Sequence, residues 1–173
     1  MTPTTEFIIF DKTIVMPPTR ISSKKTSEKT KKTNSKKGTG IKYADKSPGQ
    51  PELIPIFDEI KKLLVPYEKG TMKLLGGSGG QVVLISKKPV EILGRRRDEL
   101  WFASALIQKA YVGFYFMPVY ADTTVKDLIK PELLDCLKGK SCFHIKKYDK
   151  RIFSQIKDAL NMGYSLWHKR GWL

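Results

Sequence analysis

Apolar residues are sparse before Pro51 and dense after it, and this break divides the chain of 173 residues into two unlike parts. The first part is dominated by Lys, Ser and Thr, and it has too few apolar side chains to offset the entropy lost on ordering. A hydrophobic core must therefore be built from the second part. We predict a disordered, lysine-rich N-terminal tail over residues 1–50 and one domain over residues 51–173.

Positive charge runs through both parts of the chain. There are 32 Lys and Arg residues against 17 Asp and Glu residues, and the formal net charge is +15. In the tail, lysine pairs recur at 24–25, 31–32 and 36–37. Two interpretations of the tail stay open: a weak, salt-sensitive contact with nucleic acid or an acidic protein, or a linker that only improves solubility. The apolar stretch 7–15 is interpreted either as an ordered strand or as a partner-binding segment.

Targeting and redox signals are weak in this sequence. No apolar run approaches the roughly 18 residues that a membrane-spanning helix needs, and acidic Glu6 and Asp11 flank the short apolar run 7–10. We therefore expect a cytoplasmic protein without a membrane span. Cys136 and Cys142 are too few for a disulfide framework, and they are interpreted either as two small buried residues or as one local bridge.

Two amphipathic helices are predicted, one at each end of the domain. The first follows Pro51, places Leu53, Phe57, Ile60 and Leu64 on one stripe, and ends at Pro66. The second is capped by Asp149 and carries a similar apolar stripe, formed by Ile152, Phe153, Ile156, Leu160, Tyr164 and Trp167. Both stripes need an apolar surface to pack against.

That surface is predicted to be a β-sheet, because β-branched and aromatic runs alternate with turn residues between the two helices. Strands are expected at 71–75, 81–86, 90–93, 100–110, 111–120 and 141–146, with a Gly-rich hairpin turn at 76–80. Short helical pieces are expected at 125–129, capped by Thr123 or Thr124, and at 132–137. The fold class is therefore α+β: an antiparallel sheet of about five to six strands with the N- and C-terminal helices packed on one face.

Several strings in the second half of the domain resemble a known family. They are Leu100-Trp101-Phe102-Ala103, the run from Tyr111 to Tyr120, Gly139-Lys140-Ser141-Cys142-Phe143, and the aromatic closing helix. Together they resemble the YdhG-like family, the domain of unknown function numbered 1801. The resemblance implies a compact frataxin-like fold and a bacterial, cytoplasmic protein of mostly unassigned biochemistry.

Some members of that family are labelled iron chaperones, so the resemblance also implies iron as an alternative cofactor. In this sequence the acidic ridge of such a site would consist of Glu52, Asp58 and Glu59. Lys61 and Lys62 follow directly in the same helix and offset its charge.

Candidate sites in the domain are cationic and aromatic. Lys73 and the run Arg95, Arg96 and Arg97 are interpreted either as an anion- or partner-binding patch or as a solvated hairpin, and alternation places Arg95 and Arg97 on one side. Tyr111, Tyr115 and Met117 are interpreted either as residues that line a pocket or as simple core residues. Gly113 is expected to leave room for a helix or a ligand to approach the sheet.

No catalytic arrangement is recognisable in the sequence. His144 and His168, the only histidines, are far apart, and Cys142 has no adjacent base. The sequence therefore favours a non-enzymatic binding or adaptor domain that recognises an anionic ligand or partner and needs no cofactor. A frataxin-like intracellular iron chaperone is the alternative.

Overall fold

The computed structural model describes residues 44–76, 79–92 and 94–173. The predictions made for residues 1–43, including the apolar stretch 7–15 and the lysine pairs, lie outside the described residues. Residues 44–50 contact the domain, because the Lys46 Nζ lies 2.5 Å from the Gln108 Oε1 and the Gln50 Oε1 accepts a hydrogen bond from the Ala110 backbone N–H.

The described chain has an α+β arrangement, as predicted, with six consecutive strands between its first two α-helices. The four α-helices are α1 (Ile54–Leu64), α2 (Met117–Ala121), α3 (Pro131–Asp135) and α4 (Lys150–Lys169). The eight strands are β1 (Met72–Gly76), β2 (Gln81–Ser86), β3 (Val90–Ile92), β4 (Arg95–Arg97), β5 (Leu100–Gln108), β6 (Tyr111–Phe116), β7 (Leu137–Lys138) and β8 (Cys142–Ile145). Short 3-10 turns precede and follow α1, and a longer one covers Thr123–Leu128.

Six of the strands form one sheet in the order β1-β2-β5-β6-β8-β7, and all of its strand pairs are antiparallel. The prediction of an antiparallel sheet of five to six strands is thus confirmed. The remaining pair, β3 and β4, forms a separate two-stranded hairpin between β2 and β5. Since β2 pairs directly with β5, this hairpin is an excursion from the main sheet.

The apolar stripe of α1 is buried as its spacing predicts. Ile56, Phe57, Ile60 and Leu64 are all buried. Two proline-containing 3-10 turns flank the helix, where the missing N–H of proline costs no helical hydrogen bond. The helix contacts β5, β6 and α4.

The closing helix, α4, begins at the cap that the sequence predicts, because the Asp149 side chain accepts a hydrogen bond from the Arg151 N–H. Its stripe includes Phe153 and Trp167, both buried. The Trp167 ring meets the Phe102 ring of β5 edge-on, with centroids 5.2 Å apart. This contact ties the C-terminal helix to the middle of the sheet.

One face of the sheet forms the hydrophobic core. Its buried side chains belong to a single cluster with those of α1 and α4. The members from the six-stranded sheet are Met72, Val82, Leu84, Leu100, Phe102, Ala103, Ala105, Ile107, Val112, Phe114, Phe116, Phe143 and Ile145. A register shift between Leu84 and Ile85 allows both Phe102 and Ala103 to join this cluster.

Three local predictions were wrong. The strand predicted over 111–120 ends at Phe116, and the next five residues form α2, because Pro118 has no N–H for a ladder but suits the first turn of a helix. The cap of the following turn is Asp122, which accepts from the Thr124 N–H, rather than Thr123 or Thr124. Leu137 was predicted to be helical and instead begins β7, a short edge strand paired with β8.

Across the described ranges, we find no helix with both the length and the apolar character that crossing a membrane requires.

Candidate functional site

The sheet has a second face, opposite the core. Strand partners share a face, so one row across all six strands can be followed through Leu75, Val83, Ser104, Tyr115, Cys142 and Lys138. A parallel row joins Gln81, Leu106, Gly113 and His144, and two further pairs, Ile85 with Trp101 and Gln108 with Tyr111, belong to the same face. None of these side chains belongs to the core cluster under α1 and α4, but four of them, Val83, Ile85, Ser104 and Leu106, are buried as well.

Aromatic rings occupy the β6–β8 side of this face. The rings of Tyr111 and His144 are stacked, with centroids 3.8 Å apart and an angle of 13° between their planes. Tyr115 lies four residues further along β6, and all three side chains are half-buried. Tyr111 and His144 therefore form a stacked ring pair across β6 and β8, and Tyr115 lies on the same face.

Gly113 explains how these rings come so close together. A Cβ at this position would lie 3.0 Å from one ring carbon of Tyr115, 3.6 Å from one of Tyr111 and 3.6 Å from the Cys142 Sγ. The space that glycine leaves is thus occupied by the neighbouring tyrosines of its own strand. The room predicted at Gly113 exists, but the rings of the same face fill it.

Lysines border the aromatic rings. Lys138 is exposed on β7, and Lys146 is exposed just after β8, two residues from His144. Burial, the charge of Lys146 and the charge of Lys138, in that order, hold the pKa of His144 below its usual value. Two exposed ammonium groups thus lie close to His144, and we call Tyr111, Tyr115, His144, Lys138 and Lys146 the aromatic–basic face.

The ionisable groups beside the rings favour uncharged forms at neutral pH. Burial raises the pKa of Tyr111, with a further contribution from the Cys142 thiol. Burial also raises the pKa of Cys142, against the lowering effect of a hydrogen bond with Tyr115. A protonated thiol is a poor nucleophile, so the arrangement is suited to contact by stacking and charge rather than to covalent chemistry.

The cysteines remain free thiols, and the local bridge that the sequence left open is not formed. Cys142 lies on the second face, whereas Cys136 packs against the core after α3. The two thiols therefore lie in different environments.

The predicted cationic residues are divided between two places. Lys73 is exposed on β1 and shares the second face, because it pairs with Ile85. The three arginines form β4 in the separate hairpin, where Arg95 and Arg97 lie on one side opposite Ile92 and Val90, as alternation predicts.

Arg96 points to the other side of that hairpin, opposite Glu91, and its Nε lies 2.9 Å from the Asp98 Oδ1. Its charge is therefore partly compensated, whereas Arg95 and Arg97 have no ion-pair partner within the described ranges.

The predicted pocket residues are also separated. Tyr111 and Tyr115 lie together on the second face, whereas Met117 opens α2 and packs against the core. Two surface grooves with volumes of about 250 and 320 Å³ lie along α4. Neither groove is lined by Tyr111, Tyr115 or Met117.

The acidic residues considered for iron are spread over the start of the domain. Glu52 lies in the first 3-10 turn, Asp58 is exposed on α1, and the Glu59 carboxylate lies 3.4 Å from the Lys62 Nζ. In the part of the chain that the structure describes, no three metal-ligating side chains are grouped closely enough to hold an ion. Iron binding stays a prediction, and none of these positions favours it.

His144, Lys138 and Lys146 were missed as site residues, although the sequence contained a signal for two of them. In the run 141–146, alternation places Phe143 and Ile145 on one face and His144 and Lys146 on the other. The link to Tyr111 was not visible, because it depends on the pairing of β6 with β8.

No family model, curated protein or solved structure matches this chain.

Proposed function

We propose that this protein is a non-enzymatic binding module whose domain recognises an anionic partner through the aromatic–basic face. The observation that carries the proposal is that two exposed lysines, Lys138 and Lys146, lie near the stacked rings of Tyr111 and His144. Lys146 has no ion-pair partner among the described side chains, so its charge is available to a ligand.

The overall charge balance supports the same proposal. Residues 51–173 contain 21 basic and 13 acidic residues, so the domain is cationic even without its tail. Lys73 extends the second face with positive charge at the opposite edge strand, β1. Lysine thus lies at both edge strands of the sheet.

A salt titration of the full chain tests the proposal. The probes are a mixed-sequence single-stranded oligonucleotide and vesicles containing phosphatidylserine, each titrated between low and physiological salt. Binding to at least one of them is expected, and for the oligonucleotide the affinity should fall with salt by a log–log slope of about 0.7 for each phosphate bound. Absence of binding to both probes at low salt would refute the proposal.

Matched lysine variants locate the binding surface. The double variant Lys138→Gln/Lys146→Gln is expected to weaken binding and to reduce the salt slope by about 0.7 for each phosphate that is no longer neutralised. The control Lys126→Gln/Lys157→Gln removes the same charge from exposed positions on the helical elements and should change affinity less. If only replacing the lysine pairs 24–25, 31–32 and 36–37 abolishes binding, the polyanion binds the tail and not the face.

We also propose that the chain is a YdhG-like relative in which α1 and α4 cover one face of a frataxin-like sheet. The contacts of α1 with α4 and with β5 and β6 support this arrangement. The two free thiols are consistent with a reducing compartment, such as the bacterial cytoplasm expected from the resemblance. An experimental structure compared with members of that family would test the assignment.

A further inference from the structure

We infer that the outer edge of β1 binds an extended segment of an acidic partner protein, which adds to the sheet as one further strand beside Met72–Gly76. The inference concerns a surface other than the aromatic–basic face, and it does not depend on the proposed function. Strand addition of this kind gains affinity from main-chain hydrogen bonds and selectivity from the side chains that flank the edge.

The edge of β1 is open to solvent. β1 is the first strand in the order of the six-stranded sheet, so one of its sides pairs with β2 and the other pairs with no described strand. Lys73 and Gly76 are exposed, and the exposed fraction of Leu75 is 46%. An edge strand with unpaired backbone groups is a template on which another extended chain can pair.

The hydrogen bonds around β1 show which of its backbone groups point outward. The Lys87 N–H donates to the Thr71 carbonyl. Hydrogen-bonded pairs recur at every second residue of an antiparallel ladder, so with the observed register Lys73 and Leu75 make the next bonds to β2. Leu74, which lies between them, therefore directs its N–H and C=O away from β2 and toward the free edge.

The side chain of Glu68 occupies the outward N–H of Leu74. Its Oε1 accepts a hydrogen bond from that N–H at 3.2 Å, and within the described ranges the carboxylate makes no other hydrogen bond or ion pair. Glu68 is exposed, so one bond to a neutral amide holds this carboxylate in place. An added strand must displace it and supply a backbone carbonyl instead. Glu68 is therefore a built-in competitor for the edge.

The side chains along the edge favour a segment that is both acidic and apolar. Lys73 is exposed and has no ion-pair partner among the described residues, so a carboxylate on the added strand would meet an uncompensated ammonium group. Leu75, two residues further on the same side, offers an apolar contact. On the other side, Leu74 is half-buried and packs against the core. Opposite charges and apolar pairs on neighbouring strands both stabilise a sheet.

A second copy of this chain is the main competing occupant, since two β1 edges can pair with each other. Such pairing brings Lys73 of both copies into one short ribbon and joins two chains that each have a formal net charge of +15. Like charges on paired strands are destabilising, and a lysine on an edge strand opposes self-association. An acidic segment instead compensates this charge, and the second copy becomes an outcome of the test.

The experiment titrates the full chain at low salt with a blocked hexapeptide of alternating glutamate and valine. A hexapeptide of alternating lysine and valine is the control of opposite charge, and it should bind more weakly. Lys73→Gln is expected to weaken binding of the glutamate–valine peptide about 1.5-fold to 5-fold, the range for loss of one exposed ion pair. The control Lys126→Gln removes the same charge from an exposed position outside the sheet and should have a smaller effect.

Glu68→Ala should have the opposite effect and strengthen binding about 2-fold to 10-fold, the range for one hydrogen bond. It frees the Leu74 N–H and removes a negative charge that repels the peptide. The matched control is Glu52→Ala, which removes an exposed glutamate from the first turn of the domain and should leave the affinity nearly unchanged. Weaker binding by the Glu68→Ala variant would overturn the inference.

Modified peptides test the main-chain hydrogen bonds and leave the protein unaltered. The N–H groups of successive residues in a strand point to opposite sides, so only one set can face β1. Of two peptides, one N-methylated at its glutamates and the other at its valines, one should lose binding and the other should keep most of it. Equal binding of the two methylated peptides would overturn the inference.

Amide hydrogen exchange of the unaltered protein covers the case in which a variant does not fold. The peptide should slow exchange at Leu74, whose N–H faces the edge, and should leave Leu75, which already pairs with β2, nearly unchanged. Unchanged exchange at Leu74, or no binding of the glutamate–valine peptide, overturns the inference and leaves the proposed function in place. A dimer of the chain that excludes the peptide overturns it in favour of a second copy.

Discussion

Individual side chains on this sheet have roles that depend on their neighbours across the strands. Gly113 permits the approach of Tyr111 and Tyr115, and His144 stacks on Tyr111 from the adjacent strand. The same residues in an isolated strand would be three solvated rings. Their pairing creates both a flat surface and a microenvironment that resists protonation of the imidazole.

The protonation of His144 offers a direct test of that microenvironment. Its pKa is expected below the ordinary value because of burial first, then Lys146, then Lys138, so the folded state binds its proton less readily than the unfolded state. This group therefore favours folding above the unfolded pKa, and that contribution is lost as the pH falls toward the folded pKa. Lys146→Gln should move the pKa upward, as measured by NMR titration of the imidazole protons.

The matched variant for this titration is Lys157→Gln, which removes one exposed lysine from α4. It should leave the His144 titration nearly unchanged. Equal effects of the two variants would mean that overall charge, and not the local arrangement, governs the imidazole.

Between β6 and the helical region that follows it, one proline and one capping aspartate determine the path of the backbone. Pro118 lies in the first turn of α2, within the run predicted to be a continuous strand, and Asp122 then caps the following 3-10 turn through the Thr124 N–H and hydroxyl. The Asp122 carboxylate also pairs with the Arg170 guanidinium at the end of α4. One carboxylate thus joins two elements that are far apart in sequence.

Loss of this cap should destabilise the domain. Asp122→Ala is expected to lower the free energy of unfolding by about 1–2 kcal/mol, the range for removal of a helix cap, because the Thr124 N–H and Arg170 both lose their partner. Asp122→Asn keeps an acceptor and should cost less. Denaturant unfolding at neutral pH measures both changes.

The pH dependence of the same variants follows from the pKa of Asp122. Burial tends to raise this pKa, but the hydrogen bonds from Thr124 and the pairing with Arg170 outweigh burial and lower it below 3.8. The stabilisation is therefore present above the unfolded pKa and lost as the pH falls through the folded one. Asp122→Asn should show a shallower loss of stability below about pH 4 than the unaltered protein. If stability falls with pH equally steeply in both proteins, this account is contradicted.

Across the whole of the described domain, α4 packs closely on the sheet and on α2. Gly163 lies in the middle of α4, and a Cβ there would lie 2.5 Å from the Phe116 Cζ and 2.8 Å from the Pro118 Cγ. Phe116 is fully buried, and its ring contacts those of Phe102 and Phe114. Glycine here sets the distance between the helix and the core.

Gly163→Ala should therefore destabilise the protein although alanine is the better helix former. Overpacking typically costs about 1–3 kcal/mol, and alanine recovers about 1 kcal/mol of helix propensity, so we expect a net loss of up to about 2 kcal/mol. Ser165→Ala, on the exposed side of the same helix, should stay within about 0.5 kcal/mol of the unaltered protein. Chemical denaturation of the three proteins checks this, and a Gly163→Ala variant as stable as the parent would show that the core can adjust.

Short-range patterns in the sequence were sufficient to predict the helices α1 and α4, most of the strands and the α+β class. Their information is local: the spacing of Phe57, Ile60 and Leu64 specifies a helical stripe, and Asp149 marks where the last helix begins. Tyr111, Tyr115 and Lys73 could be named as candidates because their chemistry is visible in the residue types alone.

The pairing of β2 with β5 past the β3–β4 hairpin could not be inferred, nor could the meeting of Tyr111 with His144, because strand order and register follow from contacts between residues distant in the chain. The same holds for Asp122 and Arg170. Local propensity determines which segments become helices and strands. Burial of one shared core determines which strands lie next to each other, and the second face of the sheet forms only once those strands are paired.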